Sequence, residues 1–274
     1  PQKTRLAPVS KVTFRRRSAS GERMSLAEHL LELRNRLGFI VLAVLTGAIG
    51  GWFFADMVWA ALSEPVQQLA VIRNREALIN YTSVTEAFDT KIAISLVIGI
   101  VVSSPVWLYQ LWAYFVPALY RREKKYALGF LLVAIPFFVG GVSLGWFVLP
   151  NIVSLLTSFA PDQSATLLSA RAYLDFALKL ILAVGVGFVL PVFLVLLNVI
   201  GLLSASSIIR GWRIAIVAIS IFAALATPAA DVISMFILAV PLIALYFLAY
   251  GISWFHDRRE RKKILRAEKN SAKR

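Results

Sequence analysis

The sequence predicts an all-α polytopic membrane protein, with six transmembrane helices in a curved, partly open bundle and both termini in the cytoplasm. Three observations carry that expectation. First, 59% of the 274 residues are hydrophobic and 16% are charged, whereas soluble domains run about 45–50% apolar and about 25% charged. A single water-soluble core has no room for that much apolar surface. Second, the apolar residues gather in runs near the ~20 residues that cross a hydrocarbon layer. Third, the Lys and Arg residues behind a net charge of +14 sit at the chain ends and in short loops. That is the pattern of membrane topology, whereas a nucleic-acid binder carries its charge in stripes on a folded surface.

The runs give six spans, at 37–59, 92–114, 126–149, 173–200, 214–226 and 232–255. The last two come from one long apolar stretch, divided at Thr227-Pro228-Ala229-Ala230-Asp231, where Pro and Asp signal a turn. The fifth span is short and needs a locally thinned bilayer or shielding neighbours. Of the 29 Lys and Arg residues, 24 fall in the two ends and in the loops after spans two and four. Only Arg73, Arg75, Lys91, Arg171 and Lys179 fall on the other side. The bias places both termini in the cytoplasm. Residues 1–24 read as a basic, disordered cytoplasmic tail without a cleavable leader, with Met24 an alternative start. Residues 25–255 form the membrane domain, and 256–274 a basic cytoplasmic C-terminal tail whose composition also predicts disorder.

Within the spans, Pro105, Pro136, Pro191 and Pro241 predict kinks, while Pro117 and Pro150 fall at span ends. The stretches 47–51 and 140–145 carry small residues four apart, which lets helices approach closely. Asp175 and Lys179, at i,i+4 with the acid first, predict an ion pair on one helix face. The chain has no cysteine and two histidines, His29 and His256, at opposite ends. This excludes disulfides, thiolate metal sites and cysteine nucleophiles, and argues against a His-rich metal centre. No cofactor is expected, and there is no nucleotide-binding G-x-x-x-x-G-K-[ST] loop. An ion-coupled small-molecule transporter would show repeated halves and several mid-membrane acids. A membrane hydrolase would need a clustered Ser, His and acid. Neither pattern is present.

The sharper signal lies on the cytoplasmic face. Ser25 followed by Glu28 reads as a capping box, and Leu26, Leu30, Leu33 and Leu37 follow the helical period. The segment is expected as an amphipathic helix lying along the inner surface before span one. Glu32 lies in it as an acid in basic surroundings, three residues from both His29 and Asn35. Glu123 is likewise one acid among Arg121, Arg122, Lys124 and Lys125. Two readings stand open: charge balance through local salt bridges, or two carboxylates on one membrane face that await an external cation.

At this point the residues resemble a known family. Glu28-His29-Leu30-Leu31-Glu32-Leu33-Arg34-Asn35-Arg36-Leu37 is similar to the H-L-x-E-L-R-x-R signature ahead of the first span of TatC, the core subunit of the twin-arginine protein translocase. The stretch 104–123, from Ser104-Pro105-Val106-Trp107 to Arg121-Arg122-Glu123, resembles the family's second signature, and Thr227-Pro228 with Asp231 its T-P-x-D turn. The resemblance implies a receptor and scaffold, not an enzyme, in the cytoplasmic (inner) membrane. It would recognise folded cargo by its twin-arginine signal peptide and draw on the proton gradient. The implied signal-peptide site is Glu32 and Glu123, with His29, Arg34 and Tyr114 of the same signatures. A carboxylate accepts a guanidinium fork in two parallel hydrogen bonds, which lysine cannot copy. The implied partners are signal peptides, small single-span subunits of the TatA and TatB type, further copies of the chain and the lipid bilayer, with no nucleic acid. Partner-helix docking would use Thr227, Ser234 and Asp231, and Pro65 would belong to a cap over the bundle, unless it marks an ordinary turn. Two departures stand out: Val189 replaces a family glutamate before the span-four proline, and Met235 replaces a glutamine in span six.

Overall fold

The computed structural model describes residues 26–72, 77–115, 124–158, 166–226 and 232–271. These form nine helices and two short strands, in the order α1 (Leu26–Trp52), α2 (Ala55–Ile72), β1 (Ala77–Asn80), α3 (Glu86–Val102), α4 (Ser104–Phe115), α5 (Lys124–Ser158), β2 (Thr166–Ser169), α6 (Ala170–Val199), α7 (Ala205–Arg210), α8 (Trp212–Ala226) and α9 (Val232–Ser271). The protein is thus nearly all helical. The expectation of an all-α chain is corrected by one detail, a parallel pairing of β1 with β2 in the register Ala77 to Thr166 through Asn80 to Ser169.

Among the described residues four helices are long and apolar enough to cross a membrane: Leu30–Trp52, Leu128–Leu155, Ala170–Val199 and Val232–Ser271. The pair α3 and α4, bent by 60°, is long and apolar enough together to make a fifth if it is one broken span. The bend falls at Ser103, where Pro105 has no N–H to continue the helical ladder. The Trp107 indole N–H donates instead to the Ile100 carbonyl at 2.9 Å, satisfying one of the acceptors left at the end of α3. Pro136 and Pro150 in α5, Pro191 in α6 and Pro241 in α9 sit inside helices that continue past them. Pro150 is therefore not a span end. The remaining apolar helix, α8, is 15 residues long, about 22 Å at 1.5 Å per residue.

Half of the apolar window of α6 is buried, against 6% for α1, so α6 is the centre and α1 the rim. The core lies where α6 meets α5, α9 and α3. The outside is the reverse of a soluble protein's: Phe53, Phe147, Ile214 and Leu225 are all more than 70% exposed. Water would not tolerate so many large apolar groups in the open, but hydrocarbon does.

Helix contacts run through glycine, as the small-residue stretches anticipate. A Cβ on Gly99 of α3 would stand 2.5 Å from the Val44 carbonyl oxygen and 2.7 Å from the Ala48 nitrogen of α1. Gly47 and Gly51 meet α3 in the same way. Gly141 and Gly145 of α5 rest on α6, where added Cβ atoms would fall 2.8 Å from the Val184 oxygen and 2.9 Å from the Ile181 Cα. These pairings run 47 to 99 with 51 to 95, and 141 to 185 with 145 to 181, so each pair is antiparallel.

Four expectations are corrected. The first span does not run 37–59. It ends at Trp52, and two turn bonds, Phe53 N–H to Gly50 O and Phe54 N–H to Gly51 O, lead into the separate helix α2, which Asp56 helps to start. Nor is there a distinct amphipathic helix before the span. Residues 26–52 form one unbroken helix of about 40 Å, longer than the ~30 Å hydrocarbon core, because nothing between Leu30 and Leu37 breaks it. The disorder expected for 256–274 gives way to helix as far as Ser271. The apolar part of α9 has already met the cost of nucleation, and good helix formers and an i,i+3 pair of Glu260 with Lys263 at 2.7 Å carry it on. Asp175 and Lys179 are both exposed and do not pair, since a solvated i,i+4 pair gains little over side-chain freedom. Residues 1–25, with Ser25, lie outside the described residues.

Replacing Gly99 with Val should push α1 off α3 and cost about 1–3 kcal/mol through overpacking. Thermal unfolding in detergent should show a clear drop for Gly99→Val and none for Gly50→Ala, where no atom lies within 4 Å of the added Cβ.

Candidate functional site

Glu32 sits on the second turn of α1, close to the N-terminal end of the apolar stretch Leu30–Trp52. Arg36, one turn on, donates Nε and Nη2 to the same oxygen, Glu32 Oε1, at 2.9 and 2.6 Å. The third donor, Nη1, reaches across to Gln110 Oε1 on α4 at 3.0 Å. Both ionic side chains are mostly buried, at 24% and 20% exposure. The second carboxylate oxygen, Glu32 Oε2, is shut off from solvent and accepts no hydrogen bond among the described residues. The local salt-bridge reading of Glu32 thus holds for one oxygen and fails for the other. The i,i+4 spacing of Glu32 and Arg36 was readable in the sequence, and Gln110 was not, since it is 74 residues away.

Gln110 also closes one end of an apolar groove of about 710 Å³ between α1, α3 and α4, lined by Phe39, Leu42, Thr46, Gly50 and Val102 among others. Trp112, two residues beyond, is stacked on Tyr109 and its buried indole N–H has no acceptor among the described residues. Trp112 packs against the Leu108–Phe130 cluster, so what meets where α1 faces Gln110 of α4 is a partly occupied carboxylate and an apolar trough.

The other residues expected at the site are placed unevenly. Arg34 is exposed on α1 and Tyr114 is half-buried in the last turn of α4. His29 belongs to α1, and its side chain lies outside the described residues. Glu123, Thr227 and Asp231 are outside them as well. Ser234 is completely buried in α9. Pro65 is half-buried inside α2 between the core residues Leu62 and Val66, in a helix and not a turn. Val189, which stands for the missing span-four acid, packs with Leu108, Phe130 and Phe138 in an apolar cluster. No three His, Asp or Glu side chains come together to hold a metal ion among the described residues.

Two polar centres escaped the sequence reading. At the end away from Glu32, the buried Glu86 carboxylate collects five donors: Thr82 N–H and Oγ1, Ser83 N–H, Ser169 Oγ at 3.2 Å and Arg171 N–H at 2.8 Å. It caps the first turn of α6 from α3 and so fixes the β1–β2 pairing beside it. Arg171 and Asp89 at 3.1 Å, and Lys91 and Asp56 at 2.6 Å, surround it, and Tyr173 donates to the Leu62 carbonyl at 2.5 Å. Lys91 also lies 5.0 Å above the Trp52 ring. At the other centre, Asp257 of α9 accepts from Asn198 Nδ2 at 2.8 Å and from the Ala205 N–H at 2.9 Å, pinning the turn between α6 and α7. Asp257 falls in the segment read as a tail.

Comparison with known proteins decides what the arrangement belongs to. The family model "Sec-independent protein translocase protein (TatC)" matches residues 28–241. The chain belongs to the TatC family. The Sec-independent protein translocase protein TatC of Xylanimonas cellulosilytica is 41% identical over 262 residues, which cover 93% of this chain and 95% of that protein. Its counterpart from Rothia mucilaginosa is 37% identical, over 91% and 85% of the two chains. Among solved structures, a crystal structure of the twin-arginine translocase receptor TatC superposes with a TM-score of 0.73 at 31% identity, covering 83% of this chain and 99% of that one. As a member of this family the chain is a membrane protein of the Tat protein-transport machinery. The groove and the Glu32–Arg36–Gln110 cluster are thus features of a TatC fold.

Converting Glu86 to Gln should place an amide donor among five donors and lower the unfolding temperature in detergent. Asp175→Asn, an exposed change on the same α6, should leave that temperature unchanged.

Proposed function

We propose that this chain is the signal-peptide receptor and core scaffold of a twin-arginine translocase, and that Glu32 and Glu123 take the guanidinium groups of the arginine pair. The observation that supports this most is the junction at Gln110, where a carboxylate with one buried oxygen that accepts no hydrogen bond among the described residues meets an apolar groove. A peptide with a cationic segment followed by an apolar one fits such a junction in order: guanidinium at Glu32, apolar stretch along Phe39, Leu42 and Val102. Arginine suits the polar end because its weakly hydrated, planar fork gives directed, charge-assisted bonds. Glu123 follows α4 by eight residues, so the chain that carries Gln110 leads on to it.

In this reading six spans cross the cytoplasmic membrane, with α8 the short fifth, and both termini lie in the cytoplasm. His29, Arg34 and Tyr114 flank the arginine-pair site. Small single-span partners lie along the exposed apolar stripes of α8 (Ile214, Val217, Ile221) and α9 (Val232, Phe236, Val240), with Thr227, Asp231 and, after movement of α9, Ser234 as polar contacts. Pro65 and α2 belong to the cap at the far end. The chain acts as a transport subunit without chemistry of its own, and the proton gradient supplies the energy.

Site-specific photo-cross-linking of a twin-arginine signal peptide to membranes tests the site. Glu32→Ala and Glu123→Ala should each reduce cross-linking to background while the protein still inserts and folds. Undiminished cross-linking in both variants would reject the assignment.

A further inference from the structure

Arg36 holds the carboxylate on which the proposed reading depends, yet that reading gives Arg36 no task. We infer that Arg36 is a positioning residue that sets arginine-over-lysine selectivity at Glu32, an inference that rests on signal-peptide binding at that carboxylate. Three features of the cluster carry it. Both donors that Arg36 aims at Glu32 converge on Oε1, so the carboxylate is fixed in one orientation with Oε2 left over. The Nη1 contact to Gln110 anchors Arg36 on a second helix, so the orientation is held from α4 as well as α1. Oε2 itself is already out of contact with solvent and unsatisfied among the described residues.

An acceptor of this kind discriminates between cations. Its desolvation cost has been met in folding, so an incoming N–H replaces an absent hydrogen bond and not a water. The ion pair with Arg36 also cancels most of the charge on Glu32, so long-range attraction for any passing cation is small. What remains is a short-range, directional acceptor beside a fixed positive group. A lysine ammonium is compact and strongly hydrated and has to shed that water to enter; a guanidinium is weakly hydrated and offers its N–H groups in a plane. Without Arg36, Glu32 becomes a rotatable, hydrated anion that takes either cation.

The test uses the full chain in nanodiscs and two synthetic signal peptides that differ only in Arg-Arg against Lys-Lys. Affinities are measured for wild type, Arg36→Gln, Arg36→Lys, Gln110→Ala and Glu32→Gln at two salt concentrations. Wild type should prefer Arg-Arg, and Glu32→Gln should lose that binding; these two results report on the site itself. Arg36→Gln should bring the Arg-Arg to Lys-Lys affinity ratio down by roughly tenfold or more, the scale of one directed bond to a charged group. It should also steepen the salt dependence, because an uncancelled charge now attracts the peptide. Arg36→Lys keeps the charge but cannot span Glu32 and Gln110 together, and should lower the ratio too. Gln110→Ala leaves the ion pair and removes its anchor, giving a smaller loss in a protein less disturbed in folding. If wild type is selective and Glu32→Gln fails to bind, yet the ratio survives in Arg36→Gln and Gln110→Ala, the role of Arg36 is overturned while the site stands. If wild type shows no preference or Glu32→Gln binds as well as wild type, the site assignment falls.

Discussion

The backbone contact between α1 and α3 sets the geometry on which the rest depends. Gly99 lets the two helices touch main chain to main chain at Val44 and Ala48, and Gly47 and Gly51 extend the contact along the same line. In hydrocarbon there is no gain from hiding apolar groups from water, so close van der Waals packing is what holds helices together. That contact fixes the height of α1 against α3. Because α4 continues α3 after the bend at Ser103, it also fixes Arg36 opposite Gln110. A shift of one turn, about 5.4 Å, would break the bridge and turn Glu32 away from the groove.

Polar side chains then secure the two ends. At both, an acid from a distant part of the chain caps the start of another helix: Glu86 reaches the Arg171 N–H, and Asp257 reaches the Ala205 N–H. Helix starts carry unpaired N–H groups and a partial positive charge, and an acid is their best partner near a medium that offers little water. The Glu32 cluster differs in one respect. Glu86 has five donors and Asp257 uses both oxygens, whereas Glu32 keeps one oxygen open. The two helix-capping acids have both carboxylate oxygens engaged, whereas Glu32, beside an apolar groove, has one that accepts nothing among the described residues.

The sequence made most of the long apolar helices, the small-residue contacts and the break at Pro105 readable, because each is local: hydropathy over ~20 residues, a four-residue repeat, a missing N–H. The two family signatures carried the resemblance and singled out Glu32 as a candidate. What escaped was set by partners far along the chain. Nothing near Glu86 announces Ser169 or Arg171, and nothing near Gln110 announces Arg36. The β1–β2 pairing joins segments of four residues each, too short to show an alternating pattern. The helical run of α9 to Ser271 was misread because a basic composition predicts disorder for a free tail, and this one is attached to a membrane helix. The burial of Ser234 escaped for a similar reason, since burial depends on neighbours that spacing does not reveal.

The central claim is contact between the Glu32 carboxylate and a guanidinium of the incoming peptide, and a double-mutant cycle measures it most directly. One side of the cycle is Glu32→Gln; the other replaces each cargo arginine in turn with citrulline, which keeps the shape and removes the charge. The account predicts that for one of the two arginines the losses overlap, with a coupling above about 1 kcal/mol. Strictly additive losses for both arginines would contradict it.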